Sequence, residues 1–145
     1  MGLIQLIGEA QTISQPYVVA LMTEALFGGR PVRRVLEVGT GSGYQTAVLT
    51  EVVGSVFSME RLRGLSVSAR ERLSRLGYHN IVFNYGDGMQ GWPGHAPYDG
   101  ILVTAGTDAL PPQLVAQVVQ RLIDGGSIRL EQAQAIVEEL RRSQP

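Results

Sequence analysis

The chain has 145 residues, of which 44% are hydrophobic and 17% charged, and its formal net charge is −1. These values are typical of a soluble globular domain, and the small net charge argues against a nucleic-acid partner. The absence of cysteine excludes disulfide bonds, thiolate nucleophiles and thiolate metal sites. No apolar run is long enough to span a bilayer, and residues 1–7 lack the basic flank of a signal peptide. We therefore expect a cytoplasmic protein with a single domain.

The first third of the chain is predicted to contain one helix and one strand of the main sheet. Met1–Ala10 is an apolar lead-in that could be an edge strand or a loop. Apolar residues then recur at helical spacing, and Gly28-Gly29 ends the pattern, which predicts a helix over Pro16–Phe27. After a short connector, the apolar run Val32–Val38 predicts the first strand.

The next part of the chain continues this alternation of helices and strands. The last of its strands is apolar at Ile101, Leu102 and Val103, and such a continuous run suits a parallel strand that is covered on both faces. The alternation predicts an α/β fold with a doubly wound, mainly parallel sheet, and a ligand at the carboxyl ends of the strands. The predicted elements are helix Tyr44–Val53, strand Ser55–Met59, helix Arg61–Leu76, strand Asn80–Tyr85, loop Met89–Pro97, a strand within Tyr98–Thr104 and a helix from Pro111-Pro112 to about Ile123.

The C-terminal residues 127–145 have a different pattern. Ser127–Leu130 could be a fifth strand of minimal length. Apolar residues then recur at helical spacing, with Glu131 near the start and Arg141-Arg142 near the end, as the helix dipole favours. We predict a helical extension of the core domain 1–126, packed against the sheet or a second subunit through the apolar stripe of Leu130, Ala133, Val137 and Leu140.

Three glycines at alternate positions, Gly39, Gly41 and Gly43, join the first strand to the following helix. Glycines let the backbone turn sharply and approach a ligand closely, and a strand, a glycine turn and a helix form the start of a nucleotide-binding unit. A dinucleotide fingerprint would have its third glycine at the position of Tyr44, which disfavours an NAD-dependent oxidoreductase. The spacing resembles motif I of class I S-adenosylmethionine (SAM) methyltransferases, although a glycine turn can also serve only for packing.

Two acidic residues follow the second and third predicted strands. Glu60 lies about 20 residues after the first glycine, where the ribose-binding acid of such folds lies, and its carboxylate could accept both ribose hydroxyls. Asp87, between two glycines, could accept from an adenine amino group or bond its own turn, and the pattern does not choose between the two. Met59, Leu62 and Met89 are candidates for apolar walls around the adenine, although each is more often plain core.

The sequence offers little for acid–base catalysis or metal binding. His79 follows a helix end and His95 lies in a loop with glycine and proline, so both are predicted to be surface residues rather than bases. No metal-ligand spacing is present. Methyl transfer to a carboxylate needs no general base, because the nucleophile is already ionised, and it depends mainly on the alignment of the two reactants.

Five segments follow one another in this order along the chain: Gln11–Tyr17 (QTISQPY), Glu37–Ala47 (EVGTGSGYQTA), Leu76–Tyr78 (LGY), Gly86–Gly88 (GDG) and Tyr98–Ala105 (YDGILVTA). Together they resemble the protein-L-isoaspartate (D-aspartate) O-methyltransferase family, over roughly Gly8 to Gly126. The resemblance implies SAM-dependent methylation of the free carboxylate of L-isoaspartyl residues in damaged proteins, which would be the partners of this chain. The ester then cyclises to a succinimide, which reopens partly to aspartate.

The same resemblance implies roles for individual residues. Ser14 is expected to be the active-site hydroxyl that hydrogen-bonds the substrate carboxylate, although a serine here could instead cap the helix that begins at Pro16. Substrate contacts are also predicted for Thr12, Ile13 and Thr104. The cofactor SAM is expected to contact Glu37, Gly39, Thr40, Gly41, Gly43, Glu60 and Asp87.

Two departures from the family pattern bear on activity. Only ten residues precede Gln11, where the family carries a helical region, and a helix stands where the family's sheet is completed by a final antiparallel pair. We therefore expect a sheet that lacks those last strands and exposes an edge through which two copies could pair. A catalytically impaired SAM-binding module, or an engineered or truncated scaffold, is the alternative to an active enzyme.

Overall fold

Helices and strands alternate along most of the described chain, as predicted. The computed structural model describes residues 5–7, 11–13, 16–29, 31–104, 111–126, 129, 131–132, 134–135 and 142. Two short 3-10 turns lie between the last two strands. The elements are β1 (Gln5–Ile7), β2 (Gln11–Ile13), α1 (Pro16–Phe27), β3 (Arg34–Val38), α2 (Tyr44–Val52), β4 (Ser55–Glu60), α3 (Arg63–Arg75), β5 (Ile81–Tyr85), the 3-10 turns Gly88–Gln90 and Pro93–His95, β6 (Gly100–Val103) and α4 (Pro112–Asp124).

The central sheet has four parallel strands in the order β5-β4-β3-β6. Val38 at the end of β3 is level with Met59 on β4 and with Val103 on β6, so the carboxyl ends of the strands meet at one edge. The chain leaves β3 toward β4 on one side and returns to β6 on the other. This reversal of strand order creates a crevice at the carboxyl ends, where doubly wound folds bind ligands.

The two faces of the sheet are covered by separate apolar clusters, because successive side chains of a strand point to opposite faces. One cluster includes Val35, Leu49 and Val56, with α1 packed on it through Met22, Leu26 and Phe27. The other includes Leu36, Phe57 and Leu114, which brings in α4 and the segment of the 3-10 turns. Burial on both faces accounts for the nearly continuous apolar run of β3, whereas Val82 and Tyr85 on the edge strand β5 are exposed.

The N-terminal strands differ in part from the sequence-based expectation. β1 and β2 pair antiparallel, with Gln5 opposite Ile13, in a sheet separate from the central one. The lead-in is therefore a strand at Gln5–Ile7, which was one of the two predicted alternatives. The strand at Gln11–Ile13 was not predicted, because three residues of mixed polarity are too few for an alternating pattern to be recognised.

The C-terminal residues are described only in part. Residues 131–132, 134–135 and 142 are helical and exposed. The N–H of Arg129 donates to Oε1 of Gln132 at 2.9 Å, which is half of a capping box. The apolar stripe and most of the possible fifth strand lie outside the described residues, and Arg129 itself is not in a strand. The division at residue 126 and the packing of the extension stay predictions.

Candidate functional site

The glycine turn lies at the carboxyl end of β3, as the sequence predicted. Its three glycines have φ values of 102°, 57° and 89°, in the region that favours glycine. The N–H groups of Gly39 and Thr40 both donate to the carbonyl of Met59, at 2.8 and 3.2 Å, which fixes the turn to the end of β4. A Cβ at Gly43 would lie 3.0 Å from Cδ1 of Leu73, so glycine is also needed for the close packing of α3.

Glu60 is the last residue of β4 and lies directly beside this turn. Its Oε1 accepts from the N–H of Gly41 at 2.9 Å, and its Oε2 accepts from the N–H of Leu62 at 3.0 Å. The residue is only 7% exposed. Each carboxylate oxygen has a second lone pair, so a fixed carboxylate with remaining acceptor capacity stands at the mouth of the crevice.

Asp87 follows β5 and is exposed. Its Oδ1 accepts from the N–H of Met89 at 3.0 Å, so it caps the first 3-10 turn. The next residue, Gly88, lies against the end of β3, because a Cβ there would come within 2.5 Å of Cγ1 of Val38. Asp87 therefore caps the turn, and its contact with an adenine stays a prediction.

Thr104 lies on the other side of β3, directly after β6. Its hydroxyl is 3.1 Å from the carbonyl of Val38 and 2.5 Å from that of Gly39, and its N–H donates to Val38 at 2.9 Å. These bonds join the ends of β3 and β6 at the point where the strand order reverses. The predicted substrate contact of Thr104 stays a prediction, and the residue does lie at this crevice.

Glu37, which was predicted to contact the cofactor, is a buried residue. It is fully buried beneath the turn, on the face of β3 that α2 covers. Its Oε1 accepts from the hydroxyls of Thr46, on α2, and Ser58, on β4, the latter at 2.6 Å. Burial raises the pKa of Glu37 to about 7, against the hydrogen bonds from Ser58 and Thr46, and the charge of Glu60 adds to the rise. A direct cofactor contact of Glu37 stays a prediction.

The predicted substrate residues at the N-terminal side are described least. Ser14 lies outside the described residues, and of Thr12 and Ile13 only the backbone in β2 is described. The three candidates for the adenine walls divide into two kinds. Met59 is 4% exposed within the core cluster of the second face, whereas Leu62 and Met89 are half-buried.

The two histidines have different environments, and one prediction was wrong. His79 is exposed, as expected. His95 is half-buried, and its ring lies 4.7 Å from that of Phe57 and 4.6 Å from that of Trp92. It packs in an aromatic cluster because the 3-10 turns fold back onto the sheet, which the glycine and proline content of the loop did not indicate. Among the described residues, no group of three or more acidic or histidine side chains could hold a metal ion, and no helix could cross a membrane.

The fold and this site define the class of protein. Solved structures with the same fold include a protein-L-isoaspartate O-methyltransferase, 41% identical with a TM-score of 0.70 over 79% of this chain and 38% of that one. Another is a Plasmodium falciparum protein named for the same activity, in complex with S-adenosyl-L-homocysteine (SAH). It is 26% identical, with a TM-score of 0.68 over 79% of this chain and 61% of that one. The fold is that of the Rossmann-like SAM-dependent methyltransferases.

The family follows from the sequence comparisons. The family model for protein-L-isoaspartate (D-aspartate) O-methyltransferase matches residues 2–142, beyond the range over which the resemblance was expected. A relative of that name from Shewanella sp. (strain ANA-3) is 49% identical over 94% of this chain and 64% of its own length. One from Shewanella halifaxensis is 53% identical over 83% of this chain and 54% of its own length. The chain belongs to this family, and it spans between about half and two thirds of the length of these relatives.

Proposed function

We propose that this chain binds SAM in the crevice at the carboxyl ends of β3, β4 and β6. We further propose that the enzyme to which it corresponds methylates the free carboxylate of L-isoaspartyl residues in damaged proteins. The observation that carries the proposal is the family match over residues 2–142 together with the glycine turn beside Glu60. The relatives that share the match are named for this activity.

The residues at the crevice fit an adenosyl cofactor. The turn from Gly39 to Gly43 brings backbone without side-chain bulk to the strand ends, and α2 begins directly after it. The first N–H groups of a helix have no partner within the helix, and that of Tyr44 donates to Oγ of Ser42 at 3.4 Å. Glu60 keeps a free lone pair on each carboxylate oxygen for the two hydroxyls of a ribose. Asp87 and Met89 stand one strand farther along, where an adenine would extend. When bound, SAM would supply a methyl group on a positively charged sulfur.

Methyl transfer to a carboxylate requires little of the side chains beyond alignment of the two reactants. A carboxylate acceptor is already ionised, so no base is required, and neither histidine is placed to act as one. The work of the chain is to hold both reactants in line and to exclude water. Ser14 is proposed to orient the substrate carboxylate, with Thr12, Ile13 and Thr104 as further substrate contacts. Thr104 at the β3–β6 junction supports a substrate approach from that side of the crevice.

The substrate would be an isoaspartyl-containing protein or peptide, and the cytoplasm is the expected location. β6 is an edge strand of the described sheet, which supports the proposal that two copies could pair there. No nucleic-acid partner is proposed, since the net charge of the chain is −1.

Two measurements test the proposal. Calorimetric titration with SAM, SAH and NAD should give binding of the first two and not of NAD. A methyl-transfer assay on an isoaspartyl peptide, with the matching aspartyl peptide as control, should give transfer to the isoaspartyl peptide alone. Binding of SAM without transfer would contradict the enzyme proposal and favour a SAM-binding module. Binding of NAD alone would overturn both and favour an oxidoreductase.

A serine variant sharpens the substrate part of the proposal. Ser14→Ala should leave SAM affinity unchanged and lower methyl transfer, because the substrate carboxylate loses a hydrogen bond. If Ser14 only caps α1, the same change should instead cost about 1 kcal/mol of stability with transfer by the folded fraction preserved. Melting temperature and transfer rate, measured on one sample, separate these outcomes.

A further inference from the structure

A chain of buried hydroxyl groups connects Glu37 to the glycine turn. Oγ of Ser58 lies 2.6 Å from Oε1 of Glu37 and 2.6 Å from Oγ1 of Thr40, which is the residue between the first two glycines of the turn. Thr46, at the head of α2, donates to the same Oε1. All four residues are less than 5% exposed. The carboxyl group therefore contacts β4 and α2 directly and the turn through one intermediate hydroxyl.

The direction of these hydrogen bonds is set by the number of protons available. When Glu37 is ionised, its Oε1 can only accept, so Ser58 and Thr46 both donate to it. Ser58 has then used its single proton, and Thr40 must donate to Ser58. The backbone of Thr40 is held in turn, because its N–H donates to Met59 at 3.2 Å and its carbonyl accepts from Gly43 at 2.9 Å. With Glu37 ionised, the hydroxyl of a turn residue is therefore the donor at the end of this chain.

Positive charge is missing around this carboxyl group among the described residues. Oε2 of Glu37 meets no hydrogen-bond donor, and Glu60 on β4 is the charged side chain that acts on it. β6 carries no titratable side chain, and Arg72 of α3 reaches only the carbonyl of Ser42 on the turn. The other titratable side chains that are described on the helices of this face are exposed: Glu24 on α1, Tyr44 and Glu51 on α2, and Arg63, Arg70, Glu71 and Arg75 on α3.

We propose that Glu37 is a positioning residue whose charge makes the crevice favour a cationic sulfonium donor over its neutral thioether product. This inference rests on the proposed binding of SAM. A cation held at the turn stabilises the ionised form of a buried carboxyl group nearby, whereas a neutral thioether does not. Below about pH 7 the free protein keeps Glu37 protonated, so the preference for the cation should weaken there.

The test is the ratio of SAM affinity to SAH affinity as a function of pH. SAM and SAH share the adenosine and amino-acid groups, so their ratio isolates the sulfonium charge. Calorimetry on the whole chain between pH 6 and pH 8 should give a ratio that rises with pH. A coupling of one pKa unit corresponds to about a tenfold rise. Glu37→Gln cannot ionise and should give a flat ratio. Thr50→Val is the matched control, since the hydroxyl of Thr50 donates only to the carbonyl of Ala47 within α2, and it should behave as the parent.

A second variant keeps the inference testable if Glu37→Gln does not fold. Ser58→Ala removes one donor to Oε1, which raises the carboxyl pKa further and should move the rise in the ratio to higher pH. The inference would be overturned if the ratio of SAM affinity to SAH affinity in the parent did not change with pH. It would also be overturned if this ratio rose with pH in Glu37→Gln as steeply as in the parent. In either case SAM would still bind, and the proposed function would stand. A folded parent that binds neither ligand at any pH would overturn the proposed function together with the inference.

Discussion

The two ends of the central sheet both hold carboxylates, but with different partners. At the amino end, Asp99 just before β6 bonds Nε of Arg121 at 2.7 Å and two backbone N–H groups at the start of β3, at 2.8 and 3.0 Å. At the carboxyl end, Glu37 and Glu60 bond only hydroxyls and backbone N–H groups, and no described arginine forms an ion pair with either.

The two ends of the sheet differ in whether a cation balances the charge of the carboxylate. Burial alone would raise the pKa of Asp99, but the bonds from Arg121 and from the backbone of β3 outweigh it and hold that pKa below its ordinary value. This carboxylate is balanced by a cation, and it joins two strands. The charge of Glu37 at the other end is not balanced by a cation, which costs stability and leaves this group able to respond to a ligand.

The largest expected effect concerns Glu37 and the pH dependence of stability. Its pKa is about 7 in the folded chain against 4.5 as the ordinary value. The folded state therefore holds the proton more tightly, so the contribution of this group to stability is complete below the ordinary value and is lost as pH rises to about 7. Relative to Glu37→Gln, the free energy of unfolding of the parent should fall by about 3 kcal/mol as pH rises from the ordinary pKa value to the folded one. Urea unfolding at several pH values measures the difference, and equal pH slopes in the two proteins would contradict it.

The contribution of Asp99 to stability should depend on pH in the opposite direction to that of Glu37. Asp99→Asn replaces a charged acceptor of three hydrogen bonds and should destabilise the chain by about 2 kcal/mol at neutral pH. Since the pKa of Asp99 is lowered by folding, its contribution is present above the ordinary carboxyl range and is lost as pH falls through the folded value. The difference in stability between the parent and Asp99→Asn should therefore become smaller as pH falls. Asp124→Asn, at an exposed residue that accepts from Gln120, is the control and should have little effect.

A pair of glycine variants sharpens the comparison at the carboxyl end. Gly43 and Gly77 have nearly equal φ values, 89° and 85°, but only a Cβ at Gly43 would meet another side chain. Gly43→Ala and Gly77→Ala should each lose about 1–2 kcal/mol from backbone strain, with the larger loss at Gly43. SAM affinity should fall in Gly43→Ala alone. Equal SAM affinities in the two folded variants would argue against the turn as the cofactor cradle.

Much of the fold and the first part of the site could be predicted from the sequence. The bounds of α1 were predicted as Pro16–Phe27 and are found there, because proline and a glycine pair mark both ends. The glycine turn and the acid at the end of β4 were predicted for the same reason, since each depends on residues that are close along the chain. The first strand begins at Arg34 rather than Val32, although Val32 is buried in the core.

The contacts that were missed depend on registers between elements. Glu37 and Ser58 are 21 residues apart along the chain and stand side by side because β3 pairs with β4 in one register. An acid within the apolar run VLEV was a signal of special burial, but it did not indicate which hydroxyls would meet it. Likewise, the bond between Asp99 and Arg121 and the packing of His95 require the positions of α4 and the 3-10 turns on the sheet.

The central claim is that the carboxyl end of the sheet binds the cofactor while the amino end supports the fold. The most direct test measures SAM affinity and unfolding free energy together in Glu60→Gln and Asp99→Asn, two replacements of similar shape at opposite ends. Glu60→Gln should weaken SAM about tenfold, or ~1.4 kcal/mol, because an amide cannot accept at both positions. Asp99→Asn should lower stability and leave the affinity of the folded chain unchanged. Unchanged affinity in a folded Glu60→Gln variant, or a loss of affinity confined to Asp99→Asn, would contradict the account.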